Sequence, residues 1–277
     1  MALLPLIILA IIQGLTEFLP VSSSGHLVLF HAMNGDAHAV WDENLVMDTA
    51  VHVGTLFSVL VYFWRDLWAM VSGFFGYFKT RTPEVQKNVH VVTCILIASL
   101  PVIVAGFIMH AIKPDFLRSL EVMAWMTIIF GVILGVADCL KPREKTVETL
   151  TFKNAIFVGL AQILALIPGV SRSGITMTAG RFTGLSPVES ARFSLFLSIV
   201  AIAGAGTLAI YDLLQSGDVT LGIEAVLAAM FAFVFGLMSI AVMMRWLDTH
   251  GFMPFVIYRV ILGAVLLGFI YGGIVPA

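Results

Sequence analysis

Six apolar stretches, each near the length of a bilayer-crossing helix, decide what this chain can fold into: residues 45–64, 89–111, 122–140, 193–212, 222–244 and 252–273. About 20 apolar residues cross the hydrocarbon as a helix. With no water there to take up backbone N–H and C=O groups, only helices or closed barrels can span it. Runs this long and this apolar predict an all-α polytopic membrane protein. Composition agrees: 12% of the 277 residues are charged, against about 25% in soluble domains. The net charge of −2 points to neither nucleic acid nor an acidic partner. Cys94 and Cys139 lie in apolar stretches without metal-ligand spacing and are expected as buried free thiols. Met1 to Ile12 carry no basic residue, so the first apolar stretch is expected to be retained rather than cleaved.

Two further apolar stretches are interrupted. Residues 3–30 are broken by Pro20 and Ser22-Ser23-Ser24-Gly25, and residues 152–187 by Pro168-Gly169 and Ser171 to Gly174. Irregular backbone at membrane depth is tolerated only under cover of protein or a wet cavity. Both stretches therefore read as re-entrant helical hairpins. Residues 67–78 are too short to span and are expected at the interface.

Lys and Arg set the orientation. None precedes Arg65, whereas 65–88 carries Arg65, Lys79, Arg81 and Lys87, and 141–153 carries Lys141, Arg143, Lys145 and Lys153. With Arg245, these put 65–88, 141–153 and 245–251 in the cytoplasm and both termini outside. Lys113 and Arg118 then sit in an external loop, against the rule. The halves also echo each other. Gly14-Leu15-Thr16-Glu17-Phe18-Leu19 matches Gly159-Leu160-Ala161-Gln162-Ile163-Leu164 at an offset of 145, and Ser22-Ser23-Ser24-Gly25 matches Ser171-Arg172-Ser173-Gly174 at 149. Each half, 1–140 and 141–277, is one hairpin plus three spans. Three is odd, so the second half enters from the opposite face, which is an inverted-topology repeat with its polar breaks near the midplane.

The breaks hold the residues capable of chemistry. A cation cannot sit unpaired in hydrocarbon: a central Arg costs about 3 kcal/mol even on insertion scales. Yet Pro168 to Thr176 places Arg172, the hydroxyls of Ser171, Ser173 and Thr176, and Gly169 and Gly174 in one turn. A guanidinium fork, hydroxyls and free backbone N–H groups suit a phosphate oxyanion. In the first break, Gln13 and Glu17 share a helix face four residues apart. Ser22, Ser23 and Ser24 stand where the next helix begins, and His26 follows Ser23 by three residues, close enough for side chains to meet. Ser23 is the candidate nucleophile. His26 or Glu17 is the candidate base, and Glu17 and Gln13 are candidate ligands of a divalent cation. Mg²⁺ suits carboxylate, water and phosphate oxygens, and Ca²⁺ is the alternative.

Each of these residues has a plainer use. Ser22 and Ser24 could bond the preceding backbone, a lone His is often structural, and Glu17 and Arg172 could pair with each other for stability alone. Asp48 and His52 form an i, i+4 pair that is either supporting or superficial, and Arg259, a third of the way into the last span, reads as a snorkelling or paired cation.

With these motifs the sequence resembles the undecaprenyl-diphosphate phosphatase family of the bacitracin-resistance type, over essentially its whole length. One family motif matches Gln13-Gly14-Leu15-Thr16-Glu17 and runs on through Phe18-Leu19-Pro20-Val21-Ser22-Ser23-Ser24-Gly25-His26. The other, Pro-Gly-x-Ser-Arg-Ser-x-x-Thr, matches Pro168 to Thr176 at every specified position. The resemblance implies hydrolysis of undecaprenyl diphosphate to undecaprenyl phosphate and inorganic phosphate, recycling a lipid carrier for cell-wall polymers and conferring bacitracin resistance. It implies an inner-membrane enzyme, its site open to the periplasmic face, dependent on a divalent metal, with Glu17, Ser23, His26 and Arg172 at functional positions. Gln13 stands where relatives often carry Glu, and Ser24 where some carry Thr. A homodimer is compatible with all of this. Two rivals stand beside the enzyme: a transporter or flippase of a phosphorylated polyprenyl lipid, since broken helices suit alternating access, and a non-catalytic scaffold, which leaves the intramembrane polar groups without a purpose.

Overall fold

The computed structural model describes residues 3–33, 45–77, 82–112, 119–140, 144–216 and 219–273. These form eleven α-helices: α1 (Leu3–Thr16), α2 (Ser23–Met33), α3 (Leu45–Tyr62), α4 (Trp64–Gly76), α5 (Pro83–Ile112), α6 (Leu120–Leu140), α7 (Phe152–Gln162), α8 (Arg172–Phe182), α9 (Pro187–Ser216), α10 (Val219–Leu247) and α11 (Met253–Tyr271). Among the described residues the only β-type pairing is a single bridge, Lys145 to Leu185. Five helices are long and apolar enough to cross a bilayer, at Pro83–Met109, Leu120–Leu140, Pro187–Gly204, Gly222–Leu247 and Met253–Tyr271. The protein is thus an all-helical polytopic membrane protein. The 45–64 stretch forms α3, whose described apolar part, Ala50–Tyr62, is shorter than a full span. The 67–78 segment belongs to α4, with Trp64, Trp68, Phe74 and Phe75 exposed and Met70 and Gly73 turned inward. Lys113, Arg118 and Asp218 lie outside the described residues.

Both interrupted stretches are helix–break–helix units. α1 ends at Thr16, three residues before the one that precedes Pro20, and α2 begins at Ser23. In the second stretch α7 runs into a four-residue 3-10 turn, Ile163–Leu166, before α8 begins at Arg172. That turn accounts for the growth of the sequence offset from 145 to 149. Each break turns on a serine of positive φ, Ser22 at 71° and Ser171 at 72°, and each is followed by an 11-residue helix. Among the described residues no other non-glycine has positive φ. Such a conformation costs a β-carbon-bearing residue of order 1–3 kcal/mol. Its presence at the same place in both units means surrounding contacts hold it.

Packing is reciprocal. α1 lies against α10 and α7 lies against α5. A Cβ at Gly14 would come 2.8 Å from the Ala232 carbonyl, and one at the matching Gly159 2.6 Å from the Ala98 carbonyl. Lipid tails are as apolar as Leu, so helices in a membrane associate by close van der Waals approach and polar bonds rather than by hydrophobic burial. The pairs α3–α9 and α6–α11 close the bundle between the halves. Polar clusters tie its end. Arg181 is fully buried and donates to Asp138 Oδ1 at 3.1 Å, while Asp138 Oδ2 accepts from the Phe252 N–H at 2.8 Å. Arg192 bridges Asp66, Glu148 and Glu189 from three segments. Cys94 is buried as expected, but Cys139 is exposed, because it sits near the end of α6 on the side away from the packed Ala137 and Asp138.

Candidate active site

The two breaks meet at Glu17. Its carboxylate, 7% exposed, accepts from Arg172 Nη2 at 2.6 Å on Oε1, and from Ser23 Oγ at 2.9 Å and Gln13 Nε2 at 2.8 Å on Oε2. His52 Nε2 lies 3.6 Å from Oε2. One carboxylate therefore gathers a hydroxyl from the first break, a guanidinium from the second and an imidazole from α3. Arg172 leads α8, where its side chain reaches back across the gap between units; its Nη1 also donates to the Ser194 carbonyl at 3.4 Å.

His26 does not meet Ser23. Its Nδ1 lies 2.8 Å from the Ser22 carbonyl and its Nε2 2.6 Å from the Tyr258 hydroxyl, against which the ring stacks within 5° of parallel. A carbonyl can only accept, so Nδ1 carries a proton, and in the neutral ring Nε2 accepts from Tyr258. The i, i+3 spacing allowed an approach to Ser23, but the positive φ at Ser22 puts its own carbonyl within reach of the imidazole instead. The hydroxyl of Ser23 points to Glu17.

The hydroxyls of the second break are engaged inside the protein. Ser171 Oγ caps α8 by accepting from the Gly174 N–H at 3.1 Å, and it lies 3.1 Å from Ser173 Oγ. Ser173 donates to the Leu19 carbonyl at 2.9 Å, a direct bond between the two breaks. Thr176 donates to the Arg172 carbonyl at 2.8 Å and touches Ser194 Oγ at 2.7 Å. Gly169, with φ of 89°, passes so close to α6 that a Cβ would sit 2.1 Å from the Met123 carbonyl. Ser22 is buried in the turn it makes. The side chains of Ser24 and Asp48 lie outside the described residues.

Two residues are more central than their sequence context suggests. His52, in sequence either supporting or superficial, approaches Glu17. Arg259, expected as a snorkelling or paired cation, does not snorkel: it is fully buried. Its Nε donates to the Thr127 carbonyl at 3.0 Å and its Nη2 to the carbonyls of Gly169 and Val170 at 2.8 and 2.9 Å, with Nη1 3.5 Å from the Pro20 carbonyl. It touches both breaks at once. An arginine in an apolar run is the only signal that could have drawn attention to it.

For a metal ion, no group of three or more His, Cys, Asp and Glu side chains comes together among the described residues. Beside Glu17, however, Gln13 Oε1 is buried without a hydrogen-bond partner. A carboxylate, an orphaned amide oxygen and a serine hydroxyl form a small all-oxygen set. That set fits a hard divalent cation which takes its remaining ligands from water and phosphate.

The arrangement defines a polytopic helical membrane protein with a polar, cation-bearing site clasped between two broken helices. Comparison with known proteins places it further. The family model described as "Bacitracin resistance protein BacA" matches residues 6–265. The Undecaprenyl-diphosphatase of Alteromonas mediterranea is 44% identical over 98% of this chain and 100% of its own length. Undecaprenyl-diphosphatase 1 of Rhodospirillum rubrum is 43% identical over 99% and 97%, and the Undecaprenyl-diphosphatase of Roseobacter denitrificans 42% over 98% and 100%. The chain belongs to the bacitracin resistance protein BacA family.

Proposed function

We propose that this protein hydrolyses undecaprenyl diphosphate to undecaprenyl phosphate and inorganic phosphate, with Ser23 as nucleophile and Glu17 as its base. The observation that carries the reading is the single carboxylate that accepts from Ser23 and from Arg172 at once. A base must lie within hydrogen-bond reach of the proton it takes, and Glu17 does so where His26 does not. Ser23 Oγ would attack the terminal phosphorus while its proton passes to Glu17. The bond from that phosphorus to the bridging oxygen breaks, and undecaprenyl phosphate leaves carrying that oxygen. Glu17 gives that proton up to the departing undecaprenyl phosphate; water then attacks the phosphoserine, its proton passes to the freed Glu17 carboxylate, and phosphate departs as Glu17 returns the proton to Ser23 Oγ. Arg172, released from Glu17 as that carboxylate is protonated, would turn its fork to the equatorial phosphoryl oxygens. The bound hydroxyls of Ser171, Ser173 and Thr176 keep the second break in the shape that aims Arg172, and the N-terminal N–H groups of α8 add attraction for the anion. His26, held by Ser22 and Tyr258, would orient the diphosphate from the other side.

Gln13 and Glu17 would hold a divalent cation, Mg²⁺ or Ca²⁺. When bound it neutralises charge on the diphosphate oxygens. The topology that suits this chemistry is six spans, with α3 as the sixth, and two re-entrant hairpins, the units 1–140 and 141–277 being inverted repeats. The matched positive-φ serines and the reciprocal packing of α1 on α10 and α7 on α5 support it. The bias of Lys and Arg to 65–88 and 141–153 supports a bacterial inner-membrane enzyme open to the periplasmic face.

The test uses the purified protein in detergent with undecaprenyl diphosphate labelled in its terminal phosphate. Phosphate release is expected, with label trapped on Ser23 on acid quench. Glu17→Gln should lower release by about 10³-fold. Full turnover in Ser23→Ala would remove the nucleophile from the scheme. The broken, reciprocally packed helices also suit a flippase; movement of labelled lipid across sealed vesicles by Glu17→Gln, without phosphate release, would favour that reading.

A further inference from the structure

We infer that Arg259 lends the diphosphate site a permanent positive charge from within the protein, so that the anion becomes the counter-charge of a buried arginine that meets no carboxylate among the described residues. The inference rests on the phosphatase reading of the site and adds a positioning residue to it.

The charges at the meeting of the breaks do not balance. Arg172 is paired with Glu17 at 2.6 Å, and that pair is neutral as a unit. An anion entering there would meet a carboxylate as readily as a guanidinium. Among the described residues the other arginine at the breaks is Arg259. It is 0% exposed, and among the described residues it meets only carbonyl oxygens, from Thr127, Pro20, Gly169 and Val170. Carbonyl dipoles satisfy its N–H groups but leave its charge standing, and a buried ion without a counter-ion is costly. The other fully buried arginine shows the ordinary solution: Arg181 is paired with Asp138. Among the described residues, then, one buried arginine has a carboxylate beside it and the other, where an anion is expected, has none.

Its placement fits the role. The carbonyls it holds belong to both breaks, Pro20 in the first and Gly169 and Val170 in the second, so its charge is fixed to the two turns that lead into Ser23 and Arg172. Gly174 in the first turn of α8 leaves it room, since a Cβ there would come 2.6 Å from Nη1. In an interior of low effective dielectric such a charge acts over several ångströms without touching the ligand. Arg259 thus raises the affinity for a polyanion while staying behind the loops that contact it.

The experiment measures binding of inorganic pyrophosphate to the full-length protein by ligand-induced thermal stabilisation, in one detergent and buffer. Wild type is expected to be stabilised; no stabilisation of wild type would sink the phosphatase reading itself. Arg259→Met and Arg259→Gln should weaken pyrophosphate binding about tenfold or more, whereas Arg259→Lys, which keeps the charge, should stay within about threefold of wild type. Arg181→Lys should lower the melting temperature and leave pyrophosphate binding intact. A neutral Arg259 variant that melts earlier but binds pyrophosphate like wild type would make the residue a loop staple and overturn the inference. Should neither neutral variant fold, Arg172→Gln decides: residual pyrophosphate binding supports a second cation, and complete loss overturns it.

Discussion

The two broken helices share a backbone and differ in what they do with it. Both turn on a serine with φ near +70°, and both start an 11-residue helix directly after it. In the first, that turn gathers reactive side chains: Glu17 bonds Ser23 and, in the other unit, Arg172, while His26 bonds Tyr258. In the second, the hydroxyls are spent on the fold, in the α8 cap, the Ser173–Leu19 bond and the Thr176–Ser194 contact, while Arg172 reaches across to a side chain of the first break. The contrast is sharpest at the matched positions Glu17 and Gln162. Glu17 gathers three hydrogen bonds, whereas Gln162 is fully buried and neither of its amide atoms has a partner among the described residues. On the proposed mechanism, one helix–break–helix unit reacts and the other clamps.

Four outcomes would break or sharpen that contrast. If the second break is a clamp, Arg172→Lys should cut phosphate release by about 100-fold, because a point charge cannot replace a planar fork at a phosphoryl group. Steady-state assays with kcat and KM resolved would reveal it, and a loss of less than about threefold would place the clamp elsewhere. If the clamp depends on its backbone, Gly169→Ala should destabilise the protein by about 2–3 kcal/mol, through both positive φ and the collision with Met123. A matching drop in thermal midpoint is expected, with residual activity in the folded fraction.

If Gln162 is idle, Gln162→Met should keep activity and raise stability by about 1 kcal/mol, since it relieves two buried polar atoms. A loss of turnover would give the second half chemistry of its own. The smallest effect concerns Glu148, outside the spans. Burial pushes its carboxyl up, but hydrogen bonds from its own backbone and Thr146, with the Arg192 guanidinium, outweigh that and hold it below the usual carboxylate range. A depressed folded value means its contribution is present above the ordinary carboxylate pKa and fades as pH falls below it. Glu148→Gln should therefore flatten the loss of stability on acidification by less than about 1 kcal/mol, as read from thermal melts between neutrality and pH 4.

Much of the site could be read from the chain. Glu17, Ser23 and Arg172 are polar residues in apolar company at helix-breaking turns, and cost alone marks them. His26 was legible as a residue but not as a contact, since its partners, the Ser22 carbonyl and Tyr258, depend on a backbone twist and on a helix 232 residues away. Arg259 and His52 were visible as polar residues in apolar helices, but the partners each meets lie on distant segments that spacing along the chain does not reveal.

Length and apolarity by themselves settled that this chain is a bundle of membrane helices, because hydrocarbon tolerates little else, and the two polar interruptions settled where its helices must break. Which charges stand together was decided only by the tertiary fold. Glu17 and Arg172 are 155 residues apart, and nothing along the chain tells which of Arg181 and Arg259 has a carboxylate beside it. Only the approach of α6, α8 and α11 gives one of those arginines an aspartate and the other, among the described residues, only carbonyls, since electrostatic partnership is a matter of distance in space and periodicity along a chain does not encode it.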